Sequence, residues 1–365
     1  TTDAGGYYRF DNLAAGEYVV LIPDDNFRDV GVGDTVPANL LAGYWSSLTS
    51  AAVNGNIIDA TANDPDTTVL DNDDNGSTTL TGSAIEYVAS LAVTLGPGTS
   101  EPTGEADPVT NPDAGEAPDN RSNRTVDFGF YRVDIGNLVF EDVNGDGDYD
   151  AGIDALLAGA TVQLFASDGA TEINVGPDGI LGTADDAAGG VITGAGGAYN
   201  FNGLPAGDYI VRVTPPVGFT SAVDTAAPAD TTDPDANTDN NDNGIGITGG
   251  AVSSGALTMT PGEVAANITI TNTTGSTSDP TVDFGFVRAY SLGNRVWFDT
   301  NNNSALDAGE LGVDGVLVEL YAADGAGNPT GAALANQTTT GGGYYRFDNL
   351  VAGDYVVVIA ADNFI

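Results

Sequence analysis

The segment GGYYRFDNLVAGDYVVVIAADNF at residues 342–364 is nearly repeated at residues 5–27, where the chain reads GGYYRFDNLAAGEYVVLIPDDNF. Tyr344 aligns with Tyr7, so the period is 337 residues (344 − 7). Both ends of the sequence then fall inside a repeat, and we expect the sequence to be a window of a longer array. Repetition at a fixed period predicts modules that meet mainly their neighbours along the chain.

A weaker third copy, GGAYNFNGLPAGDYIVRV, lies between them at residues 196–213. A second block recurs in the same way, because TVDFGFYRVDIGNLVF at 125–140 matches TVDFGFVRAYSLGNRVWF at 281–298, apart from a small difference in length after TVDFGF. The blocks define two unlike domain types, A and B, in the order A, B, A. The predicted units are the C-terminal portion of a type A domain at 1–133, a complete type B domain at 134–291 and the N-terminal portion of the next type A domain at 292–365.

Short apolar runs with a period of two predict the secondary structure. Tyr209, Val211 and Val213 alternate with Ile210 and Arg212, which is typical of half-buried strands. The 50 Gly and 17 Pro residues punctuate such runs, and no window of about a dozen residues carries a capped helical pattern. The sequence therefore predicts an all-β fold of antiparallel β-sandwich domains.

Long stretches rich in Asp, Asn, Thr and Gly separate the predicted strands, at 54–82, 101–123 and 224–250. A compact domain does not normally carry loops of that length without structure. These stretches are therefore either disordered or folded around ions.

The composition narrows the possible partners. The 365 residues include 52 acidic side chains and nine basic ones, all Arg, with no His or Cys and a formal net charge of −43. That charge argues against binding to nucleic acid or to an anionic membrane surface, and it favours divalent cations. Without Cys or Lys there are no disulfides and no Lys-based isopeptide bonds, so packing and bound ions are expected to make the domains rigid. No apolar run reaches the roughly 18 residues of a transmembrane helix, so we expect no membrane contact within this sequence.

Residues 142–154, DVNGDGDYDAGID, carry the strongest metal-binding pattern. Asp142, Asn144 and Asp146 stand at alternate positions and Gly147 follows, as at the start of a calcium loop. Three side-chain oxygens on one concave side suit a hard cation, and the glycine permits the sharp turn. The remaining candidate ligands are Asp148 at the backbone-carbonyl position, Asp150 at the water-mediated position, and Asp154 one residue beyond the usual bidentate carboxylate.

The equivalent segment of the second type A domain, DTNNNSALDAGE at 299–310, restores the usual spacing. Ser304 replaces the glycine of the turn. An Asp- and Asn-rich turn without an ion is the alternative, but recurrence at homologous places favours calcium, and the lack of flanking helices argues against an EF-hand sensor. The candidate ligands are Asp299, Asn301, Asn303, the backbone carbonyl of Ala305, Asp307, and Glu310 at position twelve.

Two further acidic patterns are candidates for calcium, with a plain solvated loop as the alternative for each. DNDDNG at 71–76 and DNNDNG at 239–244 each follow a DPD tripeptide, and close carboxylates repel unless a cation lies between them. GPDGILGTADD at 176–186 occurs only in domain B. The candidate ligands are Asp71, Asp73 and Asp74 in the first block, Asp239 and Asp242 in the second, and Asp178, Asp185 and Asp186 in the third segment.

Two motifs in order, WFDTNNNSALDAGELGVDGVLVELY at 297–321 and GGYYRFDNLVAGDYVVVI at 342–359, resemble the B-type, Cna-B-like repeats of serine-aspartate-repeat bacterial surface adhesins. The resemblance implies tandem immunoglobulin-like domains in an elongated array, stiffened by Ca²⁺ at the loops of residues 142–154 and 299–310. It also implies a secreted, cell-surface stalk in which the repeats are spacers. Related pilin domains with an internal isopeptide need a Lys, so that covalent lock is not implied here.

Catalysis has little basis in this sequence. Without His, Cys or Lys there is no catalytic triad, thiol nucleophile or Schiff base. The DFG tripeptides that begin at Asp127 and Asp283 match one kinase motif, but a kinase also needs a Lys and a His that the chain lacks. We expect each to be a final core strand with inward Val and Phe. A paired-carboxylate glycosidase is formally possible, but no Asp is marked as lying beside an apolar wall, so the sequence predicts no enzyme.

Two non-enzymatic functions remain. The first is a structural extracellular protein, a calcium-stiffened rod or stalk whose partners are neighbouring copies of the repeat and, for a filament, other chains. The second is an adhesin region whose exposed loops, such as residues 101–123, bind a host, cell or matrix ligand. Halophilic adaptation would explain the missing Lys but not the gathering of acidic residues with Asn and Gly in loops. The array favours the rod.

Overall fold

The computed structural model describes residues 2, 6–27, 40–66, 73–82, 84–96, 123–222, 240–245, 250–259, 276–351 and 353–364. Within these residues the regular structure is β-strand, apart from two 3₁₀ turns at Asp24–Asn26 and Ala361–Phe364. The strands pair mainly antiparallel in several sheets, so the predicted all-β fold is confirmed.

The first unit supplies eight strands among the described residues: β1 (Gly16–Tyr18), β2 (Leu21–Pro23), β3 (Trp45–Ser46), β4 (Thr49–Ala51), β5 (Ile57–Asp59), β6 (Gly76–Thr81), β7 (Ala84–Ser90) and β8 (Val93–Leu95). Strands β2, β7 and β6 form a three-stranded sheet, while β1 pairs with β8 and β4 with β5. Ile85 and Val88 of β7 are buried and join the core of the second unit.

The second unit, domain B, is a two-sheet sandwich. Its strands are β9 (Phe130–Glu141), β10 (Ala155–Leu156), β11 (Thr161–Ala166), β12 (Glu172–Ile173), β13 (Val191–Ile192), β14 (Ala198–Leu204), β15 (Gly207–Thr214), β16 (Phe219–Ser221), β17 (Val252–Ser253), β18 (Leu257–Met259), β19 (Ser276–Asp279) and β20 (Phe284–Arg288). One sheet has the order β10-β9-β20-β16, with β14 and β19 also on β9, and the other centres on β11 and β15. Tyr209, Val211 and Val213 of β15 are fully buried, as their alternation predicts.

The third unit repeats the first half of this arrangement. Its strands are β21 (Tyr290–Arg295), β22 (Leu317–Ala323), β23 (Pro329–Thr338), β24 (Tyr344–Leu350) and β25 (Tyr355–Ile359). Strand β21 pairs with β24, and β22 lies between β23 and β25. A smaller core forms around Val318, Leu320 and Phe347.

One tyrosine hydrogen bond recurs in all three copies of the repeated motif. The hydroxyls of Tyr18, Tyr209 and Tyr355 each donate to the carbonyl oxygen four residues upstream, at 2.8, 2.6 and 2.9 Å respectively. A tyrosine tied back to its own corner in this way is known from immunoglobulin-like sandwiches. The bond fixes the turn that leads into β15 and into its counterparts.

Strand β9 joins the first unit to domain B without a break. Its beginning pairs with β3, where Trp45 faces Tyr131, and its middle pairs with β14. Strands β19 and β20 run parallel to it. The predicted boundary between residues 133 and 134 lies inside this strand, because no Gly or Pro interrupts residues 130–135. The division into three units itself stays a prediction.

Candidate calcium loops

The loop at residues 142–154, called loop 1, connects β9 to β10 and folds around one buried carboxylate. Asp142 is 2% exposed. Its Oδ1 accepts the Gly145 N–H at 2.6 Å and its Oδ2 accepts the Gly147 N–H at 3.0 Å. Both glycines have positive φ, 76° and 91°, a conformation that Gly adopts without steric cost. Burial raises the pKa of Asp142, and the nearby charges of Asp154 and Asp146 raise it further.

Asp154 closes loop 1 by bridging its two ends. Its Oδ1 accepts the Val143 N–H at 2.8 Å, and its Oδ2 accepts the Asp150 N–H at 2.7 Å. Asn144 Nδ2 donates to Asp146 Oδ2 at 2.7 Å and to Asp150 Oδ2 at 3.3 Å. The structure thus brings together the side chains that the sequence selected at alternate positions.

The loop at residues 299–310, called loop 2, has the same construction. Asp299 accepts the backbone N–H groups of Asn303 at 3.2 Å and Ser304 at 2.8 Å. Asp307 Oδ2 accepts the side-chain amides of Asn301 at 2.7 Å and Asn303 at 2.6 Å, and these two bonds lower the pKa of Asp307. Ser304 takes φ = 66°, so it adopts the conformation that Gly147 provides in loop 1. Ala305 N–H donates to Asn303 Oδ1 at 2.8 Å.

The final carboxylates explain the one-residue difference between the loops. Glu310 accepts the N–H of Thr300 at 2.8 Å and that of Asp307 at 3.0 Å. These are the positions that Val143 and Asp150 occupy in loop 1. Asp154 makes the same two bonds with a side chain one methylene shorter, and the extra residue of loop 1 makes up the length.

The second acidic block of domain B lies against loop 1, which the sequence did not reveal. The N–H of Asp242 donates to the Gly147 carbonyl at 2.9 Å, and the N–H of Tyr149 donates to the Asn240 carbonyl at 2.7 Å. Asp148 forms a β-bridge with Asn241, so it contributes to loop 1 through its backbone. Asp239 lies outside the described residues.

The aspartate of the DFG tripeptide anchors this block in domain B. Asp283 is fully buried, and its carboxylate accepts the N–H of Leu138 at 3.0 Å and that of Asn240 at 2.8 Å. The side chain of Asn243 accepts the Asp283 N–H at 2.7 Å. The predicted inward Val and Phe are also present, as Val282, Phe284 and Phe286, all fully buried.

The corresponding block of the first unit repeats this pairing. Asn75 Oδ1 accepts the Asp127 N–H at 2.8 Å, as Asn243 does for Asp283. Asp74 Oδ1 accepts the N–H groups of Gly76 and Gly129, both at 3.0 Å, and burial raises the pKa of Asp74. Asp59, which the sequence did not single out, also raises that pKa. Asp73 Oδ1 is a buried oxygen that accepts no hydrogen bond from the described residues, and Asp71 lies outside them.

The segment at 176–186 closes on a threonine. The Thr183 hydroxyl lies 2.7 Å from Asp185 Oδ1, 3.3 Å from Asp178 Oδ2 and 3.4 Å from Asp186 Oδ1. The bond from Thr183 lowers the pKa of Asp185. The three predicted carboxylates therefore each lie within 3.4 Å of one hydroxyl.

In the described part of the chain, no three acidic, His or Cys side chains gather closely enough to hold a metal ion. The carboxylates of loops 1 and 2 bind backbone and side-chain amides instead. Calcium would need them to exchange some of these donors for the ion, with Asn and backbone oxygens completing the shell. The calcium ligands thus remain a prediction.

The chain belongs to the SdrD B-like domain family. The family model matches residues 133–256 and 290–364, more than half of the chain. Serine-aspartate repeat-containing protein F of Staphylococcus epidermidis is 31% identical over 239 residues, which cover 64% of this chain and 11% of that protein. The chain thus spans about a tenth of the length of this relative.

Further relatives come from two kinds of organism. Serine-aspartate repeat-containing protein E of Staphylococcus aureus (strain USA300) is 29% identical over 243 residues, covering 65% of this chain and 16% of that protein. Colossin-B of Dictyostelium discoideum is 28% identical over 243 residues, covering 61% of this chain and 6% of that protein. In both relatives, the sequence similar to this chain is a small part of a much longer protein.

Solved structures with weaker likeness include pilins. A streptococcal ancillary pilin shares 11% identity, with a TM-score of 0.26 over 77% of this chain and 70% of that one. The minor pilin GBS52 of Streptococcus agalactiae shares 13%, with a TM-score of 0.23 over 63% of this chain and 83% of that one. The described residues contain no helix with the length and apolar character to cross a membrane.

Proposed function

We propose that this chain is a section of an extracellular, cell-surface stalk whose immunoglobulin-like modules are stiffened by Ca²⁺. The observation that carries the proposal is the shared construction of loops 1 and 2. In each, the first aspartate accepts two N–H groups at the turn, and the last carboxylate bridges the second and ninth positions. Membership of the SdrD B-like family supports a spacer role for such repeated modules.

The electrostatics of loop 1 favour a cation. Burial and the charges of Asp154 and Asp146 raise the pKa of Asp142, which means that its ionised form is unfavourable in this place. A divalent ion among these oxygens would favour the ionised form of Asp142 instead. A bound ion would hold loop 1 in one conformation. Gly147 and Tyr149 hydrogen-bond to residues 240–242, and Asp283 joins Asn240 to Leu138 of β9, so the ion would also restrain the acidic block and β9.

The stalk is a better proposal than the adhesin. The first carboxylates of loops 1 and 2 accept hydrogen bonds from their own loops. Residues 101–122, most of the loop that the adhesin alternative relies on, lie outside the described residues.

Calorimetry of the whole chain tests the proposal. At a free Ca²⁺ concentration 100 times the Kd, one site adds about 2.7 kcal/mol of stability, so unfolding should shift to higher temperature in Ca²⁺ and return in excess chelator. The variants Asp142→Asn and Asp299→Asn should each remove the shift of one unit only. Asp208→Asn, an exposed residue of β15, is the matched control.

The stoichiometry gives a second readout. Native mass spectrometry should show Ca²⁺ bound to the wild-type chain, and fewer ions on each loop variant than on the control. An unfolding temperature that is the same in 10 mM Ca²⁺ (about 100 times a Kd near 10⁻⁴ M, as in extracellular modules) and in chelator would overturn the calcium assignment.

A further inference from the structure

The two junctions between units differ in how they are packed, and the first is built from features that only one domain type has. The first junction, called the A–B joint, brings residues 43–51 of the first unit against residues 203–207 of domain B. Trp45 is 2% exposed, and its indole Nε1–H donates to the Gly203 carbonyl at 2.7 Å. A buried indole with its polar group satisfied is a strong and directional anchor.

Backbone pairing extends the A–B joint beyond the tryptophan. The N–H of Ala51 donates to the Ala206 carbonyl at 2.7 Å. The N–H of Ala206 donates to the Tyr131 hydroxyl at 2.9 Å, and that hydroxyl donates in turn to the Thr49 carbonyl. The phenol of Tyr131 on β9 thus links β4 to the turn between β14 and β15, and β9 itself continues from one unit into the other.

A glycine pair lets the two backbones approach in the A–B joint. A Cβ built on Gly203 would lie 2.8 Å from the Cα of Gly43, a separation that real Cβ atoms do not show. The position equivalent to Gly203 in the type A copies is Asn12 or Asn349. All three residues share the left-handed conformation, with φ of 70°, 60° and 58°, so a type A entry loop would place an Asn side chain where the joint needs none.

A segment that only domain B contains completes the joint. Leu181 lies in the middle of residues 176–186 and is 6% exposed. Together with Phe27, Trp45 and Ile85 of the first unit, it lines a small cavity in the joint. Strand β23 of the type A unit continues through the corresponding region without such an insertion, so it has no residue equivalent to Leu181.

The second junction, from domain B to the next type A unit, lacks these features. Gly218 corresponds to Gly43, but a Cβ built there would meet no heavy atom of the described residues within 4 Å. Thr220 stands in place of Trp45. The chain between TVDFGF and the next Gly-Asn is also one residue longer, so β20 ends at Arg288, β21 begins at Tyr290 and Ala289 breaks the strand. One added residue turns the following side chains to the other face.

We propose that the exit surface of a type A domain, formed by Gly43, Trp45, Thr49 and Tyr131, is an interaction surface selective for the entry surface of a type B domain. Gly203 and Leu181 are the selecting residues on the B side. The rigid unit of the array is then the A–B pair, and the joint from B to A is the one that bends. This inference does not depend on calcium.

The absence of Cys makes a clean test possible on the whole chain. Spin labels at Glu86→Cys and Ile192→Cys span the A–B joint, and labels at Ile192→Cys and Leu334→Cys span the other. All three residues are exposed. Pulsed electron resonance in excess chelator should give a narrow distance distribution across the A–B joint and a broader one across the second joint.

Substitutions then distinguish a specific loss of packing at the A–B joint from a general loss of structure. Gly203→Asn installs the type A residue in a conformation that Asn adopts, and it should broaden the distribution across the A–B joint only. Leu181→Ala should do the same by removing a buried side chain that lines the joint. Gly82→Asn, at φ = 67° with open space for a Cβ, is the control, and it should change neither distribution. Equal widths at the two joints of the wild-type chain, or an A–B distribution unchanged in both Gly203→Asn and Leu181→Ala, would overturn the proposal.

Discussion

Replacing Asp283 by Ala should destabilise domain B by several kilocalories per mole. The carboxylate is fully buried and accepts the N–H groups of Leu138 and Asn240. Without it, two backbone donors have lost their acceptor in a place that water does not reach, at a cost of about 1–3 kcal/mol each. Removing a buried charge recovers part of its desolvation, so we expect a net loss near the lower part of that sum, about 2–4 kcal/mol.

Asp283→Asn should destabilise domain B less than Asp283→Ala. The amide keeps one oxygen for one donor and turns its NH₂ group toward the other, so about half of the loss should remain. Asp208→Ala removes the same charge from an exposed position of β15 and should change stability by less than about 0.5 kcal/mol. Asp208→Ala should then be the most stable of the three variants, Asp283→Asn intermediate and Asp283→Ala the least stable.

Native-state hydrogen exchange in excess chelator is the appropriate assay, because it reports on domain B without assuming that the whole chain unfolds in one step. A loss of 2.8 kcal/mol corresponds to about a 100-fold fall in the protection of amides in β9 and in residues 240–243, since 1.4 kcal/mol is a factor of ten. If Asp283→Ala exchanges like Asp208→Ala at these amides, the anchoring role is wrong.

Three further predictions concern stability. Gly197→Ala should cost more than about 2 kcal/mol, because φ is 63° and the new Cβ would lie 2.3 Å from the Val139 carbonyl oxygen, whereas Gly196→Ala meets open space and should be nearly neutral in thermal melts. Burial raises the pKa of Asp134 and of Asp279 above the usual 3.8. At a pH between 3.8 and these raised pKa values, the folded chain binds more protons than the unfolded chain, so lowering the pH through this range in chelator should raise the melting temperature. A melting temperature that falls steadily as the pH is lowered would contradict this. Arg212→Lys should cost about 1–2 kcal/mol in urea, because the guanidinium lies 3.9 Å from the centre of the Phe165 ring and also donates to Gly169 and Ser253, while Arg346→Lys, at an exposed ion pair, should be nearly neutral.

The sequence predicted the strands of domain B well because their alternation reports directly on a two-sided environment. It did not predict that Asp283 is buried. In an alternating strand the residue between Val282 and Phe284 should face solvent, but residues 240–243 lie against Asp283, just before β20 begins. A period of two distinguishes the faces of a strand and says nothing about what a distant loop later places on the outer face.

The candidate loops also show that sequence patterns predict local contacts better than distant ones. Local spacing was enough to select the side chains of loops 1 and 2 that converge, because those residues are neighbours in sequence. The role of residues 176–186 was only half visible. Their carboxylates suggested an ion, whereas Leu181 lines the cavity of the A–B joint together with Phe27, Trp45 and Ile85. Proximity between residues so far apart in the chain depends on how the units meet.

The parallel pairing of β9 with β19 and β20 has a consequence for tension. β9 opens domain B and β20 closes it, and the two lie side by side. A pull on the ends of the chain would slide these strands past one another, so that their hydrogen bonds must break together rather than one after another. Because β9 also carries Tyr131 at the A–B joint, the same strand would pass the load from one module to the next. We expect force spectroscopy to show domain B yielding in a single high-force event, after the joint from B to A has already straightened.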